Sequence, residues 1–488
     1  FMIRVLFATS EVYPLMKTGG LADVSASLPE ALCRLEYDVQ ILLPGYPDAL
    51  KAARKAGSRR KARFQLGQYN VSLWQTRLPG TAVTLWLVDC PPLFDRPGNP
   101  YKNEEGKDWW DNAHRFELFG KVGAMIAMGE AGLSWRPDLV HCNDWQTGLI
   151  PVFLEAYHDR PGTVFTIHNL AYQGLFSHET FRALGLPDSL WNLEQLEFYG
   201  QLSFIKGGLV FSDRITTVSP TYALEIQTPE FGNGLDGLLR HRQDALTGIL
   251  NGIDNRVWNP EEDPELSFHY GRDHLKNKTQ CQAGLQQELG LEVNGGPLLG
   301  FIGRLVEQKG VDWLVSVMPH LLEQGCQFVV LGSGEASYEE PLKRLARQWP
   351  GQMSLTLGYN EGLSHRITAG CDLFLMPSRF ETCGLNQMYS LRYGTIPVVH
   401  GVGGLADTVQ DPQEVGIDKA TGFVFTGANA DSLLAAVNRA LQVFEKRKQW
   451  RRLQDNGMAI DYSWKQRART YGDLYQRILK ERDQQQLD

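Results

Sequence analysis

Short apolar runs alternate with segments of helical periodicity along almost the whole chain. The first apolar run covers residues 3–8 and the next covers residues 39–43, with Leu21, Val24 and Leu28 marking one helical face between them. This order predicts a β-α-β unit, and its repetition predicts parallel sheets with helices packed on both faces. Because 488 residues are too many for one ordinary core, we expect two α/β domains.

Two series of predicted strands are separated by a polar stretch at residues 255–277, which contains Pro260 and Pro264. The first series includes residues 83–88, 138–141, 164–167 and 214–218, and the second includes residues 298–303, 327–331, 354–358, 373–376 and 396–399. We therefore predict three parts. They are an N-terminal doubly wound domain at 1–252, a C-terminal doubly wound domain at 253–463, and a helical segment at 464–488 that packs back on the N-terminal domain.

Charge and cysteine usage exclude several classes of protein. The net charge of -8 argues against a general affinity for nucleic acids or acidic membranes. No apolar stretch reaches the roughly 18 to 20 residues that span a bilayer, and none resembles a signal-peptide core, so a cytoplasmic protein is expected. The seven cysteines include no C-x-x-C pair, which favours reduced thiols over disulfides or a zinc site.

Three glycine-rich loops join predicted strands to predicted helices. The first is K-T-G-G at residues 17–20, the second is G-R-L-V-E-Q-K-G at 303–310, and the third is G-V-G-G-L-A-D at 401–407. Glycines before a helix let backbone N–H groups approach a phosphate, and the cations Lys17, Arg304 and Lys309 would suit a diphosphate. Solvated cations on ordinary turns are the alternative for each loop alone, but three such loops together favour an anionic ligand.

Polar residues also follow other predicted strands, where ligands of doubly wound sheets bind. Glu381 follows the strand at 373–376 and can bind sugar hydroxyls or cap a helix. His168 with Asn169 can contact a substrate or serve the structure. Asp144 with Trp145 offers a carboxylate and an aromatic plane for a sugar, or a capping aspartate beside a buried tryptophan.

Motifs of several other enzyme classes are absent. The sequence has no Asp-x-Asp, a common motif for holding a metal ion and a diphosphate. It also lacks H-E-x-x-H, G-x-S-x-G and a complete G-x-G-x-x-G. Zinc catalysis, serine hydrolysis and hydride transfer therefore lose support.

The motifs, in their order, resemble those of the bacterial glycogen synthase and plant starch synthase family. The resemblance covers nearly the whole chain, and its motifs include K-T-G-G-L-A-D-V, P-Y-K-N-E, H-C-N-D-W-Q, H-N-L-A-Y-Q-G, N-G-I-D-N-R-V-W-N-P and G-R-L-V-E-Q-K-G. It implies the GT-B fold, in which two Rossmann-like doubly wound domains face each other across a deep cleft. The absence of a transit peptide and of glucan-binding extensions favours a bacterial glycogen enzyme over a plant starch isoform.

The resemblance also implies roles for individual residues. Lys17, Arg304 and Lys309 would hold the nucleotide diphosphate, Tyr359 would stack on adenine, and Glu381 would bind the transferred glucose. The nucleotide sugar would further contact Gly19, Gly20, Asn251, Cys383, Gly384, Leu385 and Asn386. His168 would act at the glucose with Glu381, Lys309 and Arg304 as the catalytic set, and the acceptor side would include Asp144, Trp145, Tyr101 and Asn169.

Three positions depart from the usual family pattern. Thr382 stands where proline is common, Asn386 replaces the frequent Thr or Ile, and Val402 stands where a hydroxyl residue is common. These departures affect the expected contacts with the diphosphate. They leave the implied activity unchanged.

The implied reaction is transfer of glucose from ADP-glucose to glycogen or a maltooligosaccharide with retention of configuration. We expect front-face transfer, in which the departing diphosphate oxygen takes the proton of the acceptor 4-hydroxyl, with no cofactor and no metal ion. The choice between ADP and UDP as the nucleotide of the sugar donor stays open. So do two alternatives, a related transferase that makes a small product and an inactive glucan-binding regulator.

Overall fold

The computed structural model describes residues 2–486, and the chain divides into two compact units. Among the described residues, the first comprises 2–218, 223–250 and 464–486, and the second comprises 219–222 and 251–463. The sequence-based division lies after residues 252 and 463. The structure differs from it chiefly in assigning the short segment 219–222 to the second unit.

The first unit is built on a nine-stranded sheet. Its strands and those of a small antiparallel sheet are β1 (Arg4–Ala8), β2 (Asp38–Pro44), β3 (Arg59–Leu66), β4 (Tyr69–Arg77), β5 (Thr84–Asp89), β6 (Leu139–Asn143), β7 (Gly162–Ile167), β8 (Leu175–Ser177), β9 (Glu197–Phe198), β10 (Gln201–Ser203), β11 (Arg214–Thr217) and β12 (Leu246–Gly248). The large sheet has the order β12-β11-β7-β6-β1-β2-β5-β4-β3, and the small one has the order β8-β10-β9. Seven strands of the large sheet are parallel, whereas β3 and β4 are antiparallel additions at one edge.

Helices of the chain that precede the second sheet are α1 (Gly20–Arg34), α2 (Pro47–Lys55), α3 (Pro91–Phe94), α4 (Asn112–Met128), α5 (Leu149–Leu154), α6 (His178–Ala183), α7 (Phe204–Phe211), α8 (Pro220–Glu225), α9 (Asp236–His241) and α10 (Lys276–Glu288). The α1 face predicted from Leu21, Val24 and Leu28 is buried. Its burial against the sheet follows from the 3.6-residue period of those apolar positions.

The second unit is built on a six-stranded parallel sheet with the order β15-β14-β13-β16-β17-β18. Its strands are β13 (Leu298–Ile302), β14 (Gln327–Gly332), β15 (Met353–Leu357), β16 (Leu373–Met376), β17 (Ile396–His400) and β18 (Phe423–Phe425). The helices that follow α10 are α11 (Val311–Glu323), α12 (Ala336–Gln348), α13 (Glu361–Gly370), α14 (Asn386–Arg392), α15 (Gly403–Thr408), α16 (Pro412–Val415), α17 (Ala430–Glu445), α18 (Arg447–Met458) and α19 (Trp464–Gln485).

Both parallel sheets have a point where the strand order reverses. In the first unit the chain winds from β1 outward through β2 and then returns to β6 on the other side of β1. In the second unit it winds from β13 through β14 and β15, and then returns to β16 beside β13. Ligands of doubly wound sheets bind at such a reversal, outside the carboxyl ends of the strands. Ligand-binding residues are therefore expected on the loops after β1, β6, β13 and β16.

The sequence did not predict the β3–β4 hairpin. Residues 59–66 read R-R-K-A-R-F-Q-L, and most of them are exposed or half-buried. Basic side chains on an edge strand keep other chains from pairing with it. They also remove the apolar run by which a buried strand is recognised.

The last helix, α19, belongs to the first unit although it follows the second in sequence. The hydroxyl of Tyr475 lies 2.6 Å from Nδ1 of His141 on β6, and both side chains are fully buried. Gly472 lies so close to Tyr37 that an added Cβ would be 2.6 Å from its hydroxyl oxygen.

Within residues 2–486, no helix combines the length and the apolar character needed to cross a membrane.

Candidate active site

The K-T-G-G loop after β1 is organised by a carboxylate that the sequence analysis missed. Oε1 of Glu11 accepts the N–H groups of Thr18 at 2.5 Å and Gly19 at 3.3 Å, and Oε2 accepts the Thr18 hydroxyl at 2.8 Å. The backbone N–H groups of Thr18 and Gly19, which were expected to approach a phosphate, therefore already donate to Glu11. Lys17 is exposed and pairs with Asp23 at 2.9 Å, where a competing anion can reach its ammonium group.

The glycines of this loop leave open space around the backbone. A Cβ added to Gly19 or to Gly20 would meet no atom within 4 Å. Gly20 is the first residue of α1, whose N-terminal end carries positive partial charge. The loop thus combines an approachable backbone with the Lys17 cation.

Asp144 follows β6 at the reversal of the first sheet and is held in an unusual conformation. Its φ is 58°, a left-handed value that costs energy for any residue but glycine. Its carboxylate accepts the backbone N–H of His168 at 2.7 Å. Burial raises the pKa of Asp144 to about 7, with a small further rise from the charge of Glu11, although bonds from the N–H groups of His168 and Asn169 oppose the rise.

The hydrogen bonds of His168 determine its tautomer. Asn143 donates through Nδ2 to the carbonyl oxygen of Ala8 at 3.0 Å, so its Oδ1 is the acceptor for Nε2–H of His168 at 2.8 Å. The other ring nitrogen, Nδ1, then carries a lone pair. Burial lowers the pKa of His168 to about 3, which favours the neutral ring at pH 7.

Tyr101 and Trp145, the two aromatic residues predicted for the acceptor side, have different surroundings. The Tyr101 hydroxyl donates to Oε2 of Glu11 at 2.6 Å, and burial raises the pKa of Tyr101 well above its ordinary value. The Trp145 ring is packed against Phe116 and Phe204, with centroids 5.1 and 5.7 Å away. This packing agrees with the alternative of a buried tryptophan, and a contact between Trp145 and a sugar stays a prediction.

In the second unit, Glu381 lies on the loop between β16 and α14 and is nearly buried. Its Oε2 accepts a hydrogen bond from Nζ of Lys309 at 2.7 Å and from the Ser378 hydroxyl at 3.0 Å. The family resemblance implied that Lys309 binds a diphosphate and that Glu381 binds glucose. In this structure the two side chains form an ion pair, which holds both at the reversal of the second sheet.

The loops after β13 and β16 are joined by several backbone contacts. Arg379 donates its N–H to the carbonyl oxygen of Gln308 at 2.7 Å, and Gln308 donates through Nε2 to the carbonyl oxygen of Phe380 at 3.2 Å. Gly310 has a φ of 70°, and a Cβ there would overlap the carbonyl oxygen of Pro377. Arg304 is exposed and makes no ion pair within residues 2–486, so its guanidinium group is accessible to an anion.

The segment Cys383–Leu385 leads into α14. Cys383 is buried, Gly384 has a φ of 77°, and Leu385 precedes the first residue of the helix. Asn386 donates through Nδ2 to the carbonyl oxygen of Ile302 at 3.2 Å, so its amide ties the start of α14 to the end of β13. One N–H of the Asn386 amide is thus bound by the backbone, and its contact with the nucleotide sugar stays a prediction.

Two more predicted residues lie in the second unit. Tyr359 follows β15 and Gly358, and 73% of it is exposed, which leaves an aromatic face open to a planar ligand. Asn360 caps α13 directly after it by accepting the N–H of Leu363 at 2.9 Å. Asn251 is buried at the start of this unit.

Each unit by itself offers groups that can bind an anion, and the second also offers a carboxylate for sugar hydroxyls. Arg304 and the Lys309–Glu381 pair supply cations and a carboxylate at one sheet, and Lys17 supplies a cation at the other. Within residues 2–486, no group of three or more His, Cys, Asp or Glu side chains is arranged to hold a metal ion. Cations and hydroxyl-binding carboxylates at the reversals of doubly wound sheets suit a phosphorylated sugar.

Comparisons with known proteins agree with this chemistry. A family model described as "Starch synthase catalytic domain" matches residues 4–241, and one described as "Glycosyl transferases group 1" matches residues 287–454. The chain is 75% identical to a glycogen synthase of Marinobacter nauticus, with 99% of each chain covered. It is 57% identical to a glycogen synthase of Cellvibrio japonicus, with 97% of this chain and 99% of the other covered.

Two solved structures are similar to the whole chain. The catalytic domain of starch synthase IV from Arabidopsis thaliana, bound to ADP and acarbose, is 33% identical with a TM-score of 0.85, covering 98% of this chain and 99% of that one. A sucrose-phosphate synthase from Thermosynechococcus elongatus is 15% identical with a TM-score of 0.60, covering 98% and 100%. The second likeness concerns the fold alone, and both agree with the GT-B class.

Proposed function

The chain belongs to the glycogen synthase and starch synthase family of glycosyltransferases, and from that premise we propose the details of its reaction. The sugar donor is ADP-glucose, and the acceptor is the non-reducing 4-hydroxyl of an α-1,4-glucan such as glycogen or a maltooligosaccharide. The starch synthase with the similar structure is bound to ADP and acarbose, which supports a nucleotide and an oligosaccharide as ligands.

One observation carries the proposal, namely the ion pair between Lys309 and Glu381, with the exposed Arg304 on the same loop as Lys309. A diphosphate that approaches Arg304 and Lys309 would compete with Glu381 for the ammonium group. Glu381 would then be released toward sugar hydroxyls, which are neutral hydrogen-bond donors. The pair therefore keeps a buried carboxylate compensated until a substrate with both a diphosphate and a sugar arrives.

Front-face transfer suits these groups better than double displacement. Double displacement needs a carboxylate nucleophile in addition to a general acid. Glu381 is proposed to bind sugar hydroxyls after its release from Lys309, and the neutral form of His168 has Nδ1 as an acceptor, so neither is assigned as a nucleophile. We therefore assign the proton of the acceptor hydroxyl to the departing diphosphate oxygen, while fixed cations stabilise the growing negative charge.

The transfer is proposed to need no divalent metal ion, because Lys17, Arg304 and Lys309 provide the charge compensation that a metal ion would otherwise supply. Excess EDTA should leave the rate within about twofold, whereas Arg304→Ala or Lys309→Ala should each lower it by about a hundredfold. Activity that is lost in EDTA and restored by Mg²⁺ would contradict this part of the proposal.

The substrates are tested by measuring nucleotide release from ADP-glucose and UDP-glucose, each with maltooligosaccharide or glucose as acceptor. We expect release of ADP only when maltooligosaccharide or glycogen is present. Preference for glucose as acceptor would indicate a transferase that makes a small product. No release with any pair would contradict the proposed reaction.

A further inference from the structure

Glu11 is a buried carboxylate with four hydrogen-bond donors. Besides the three donors on Thr18 and Gly19, it accepts the hydroxyl of Tyr101 at 2.6 Å, and only 4% of Glu11 is exposed. Within residues 2–486 it forms no ion pair with a lysine or arginine. A buried carboxylate without a cation is costly unless hydrogen bonds replace its water. The chain therefore uses all four donors to keep this group in place.

Tyr101, the hydrogen-bond partner of Glu11, is itself fixed in position. Asn112 on α4 donates through Nδ2 to the carbonyl oxygen of Tyr101 at 3.0 Å. Arg115, which is fully buried, donates to the carbonyl oxygen of Pro100 at 2.8 Å and to Oδ1 of Asn112 at 2.9 Å. The backbone of Tyr101 is thus anchored to α4, and its hydroxyl presents a fixed point to Glu11.

We propose that Glu11 is a positioning residue that holds the K-T-G-G loop in the shape that binds the sugar donor and links that loop to Tyr101. The inference rests on the proposed function for the identity of the ligand. A chain of hydrogen bonds leads from α4 through Tyr101 and Glu11 to Thr18 and Gly19. Because Glu11 occupies two backbone donors of the loop, the loop offers its ligand the Lys17 ammonium group and the open surface at Gly19 and Gly20.

The geometry separates a positioning role from a role of the charge itself. In Glu11→Gln, the amide oxygen can still accept the N–H groups of Thr18 and Gly19. The new NH₂ group can donate to the hydroxyl oxygens of Thr18 and Tyr101, because both hydroxyls can turn their protons away. Gln therefore preserves the network and removes the charge, whereas Ala removes both.

The test compares the KM for ADP-glucose and kcat in purified Glu11→Gln, Glu11→Ala and Tyr101→Phe. We expect Glu11→Gln to stay within about threefold of wild type and Glu11→Ala to raise the KM by at least about tenfold, because a displaced loop misplaces its ligand contacts. Tyr101→Phe should raise the same KM to a smaller extent. The matched control is Tyr46→Phe, since the Tyr46 hydroxyl also makes a hydrogen bond but donates to the carbonyl oxygen of Ser10 instead of Glu11.

A Glu11→Gln enzyme as impaired as Glu11→Ala would overturn the inference, because the charge and not the network would then matter. A Glu11→Ala enzyme with wild-type KM would overturn it as well. If Glu11→Ala does not fold, Thr18→Val replaces it, since Thr18 is exposed and loses only one bond to Glu11; an unchanged KM there and in Tyr101→Phe is the contrary result. Failure of the wild-type enzyme to use ADP-glucose would instead contradict the proposed function.

Discussion

The pentapeptide G-G-L-A-D occurs twice, at residues 19–23 and 403–407, and the two copies use the same residues differently. Each copy follows a parallel strand and begins a helix, α1 in the first unit and α15 in the second. At Gly19 and Gly20 an added Cβ would meet open space. At Gly403 it would overlap the carbonyl oxygen of Glu381.

The aspartates that end the two copies also have different partners. Asp23 pairs with Lys17 six residues earlier, whereas Asp407 accepts the N–H and the hydroxyl of Thr221 at 2.9 and 2.7 Å. The first copy is an exposed loop with an accessible cation. The second is packed beneath the loop that carries Glu381. The same sequence thus supplies open backbone in one unit and close packing in the other.

The largest effect is expected for Gly403→Ala. Gly403 has a φ of 48°, and its Cβ would overlap the Glu381 backbone, so the substitution should cost about 3 kcal/mol or more of unfolding free energy. Differential scanning calorimetry should show a fall in Tm of roughly 6–12 °C. Activity should fall at temperatures where the protein is still folded, because the Glu381 loop moves. A normal Tm would show that the loop yields and that the packing is not required.

Gly19→Ala should have the opposite profile. The added methyl group meets no protein atom, so Tm should stay within about 2 °C, while the KM for ADP-glucose should rise by about tenfold, or 1.4 kcal/mol. The physical reason is that the methyl group occupies space proposed for the ligand. Steady-state kinetics at several ADP-glucose concentrations measure this. An unchanged KM would mean that the openness of the first copy serves no ligand.

The smallest effect concerns the groups that stabilise the negative charge of a buried carboxylate in each of the two units. Glu381 is paired with Lys309, whereas Asp144 accepts bonds from backbone N–H groups and has a pKa raised to about 7. A raised pKa favours the protonated form in the folded state, so this contribution to stability is complete below the ordinary aspartate pKa and is lost as pH rises through about 7.

Between pH 6 and pH 7 the wild type should therefore lose about 1 kcal/mol that Asp144→Asn does not lose. Thermal or denaturant unfolding of both proteins across this range measures the difference in slope, and other titrating groups cancel in the comparison. Equal slopes would show that Asp144 does not titrate there. Activity is not used as the readout, because Asp144 belongs to the candidate site.

Much of the fold followed from local patterns. Both predicted series of parallel strands are present, and the predicted α/β class and GT-B fold are confirmed. The β3–β4 hairpin was missed because its first strand is basic and exposed. Candidate loops were found because glycines and cations follow strands in the sequence. Glu11 was missed because one glutamate after a strand carries no signal without its partners.

The sequence by itself determined where strands end, where glycines begin helices and which family the motifs indicate, since these patterns act over a few neighbouring residues. Only the tertiary structure decided which partner each group meets. Tyr101 reaches Glu11 across 90 residues, and Thr221 reaches Asp407 across 186. It also buried the Trp145 ring among phenylalanines. The cost of burying a polar group depends on such distant partners, and periodicity along the chain does not specify them.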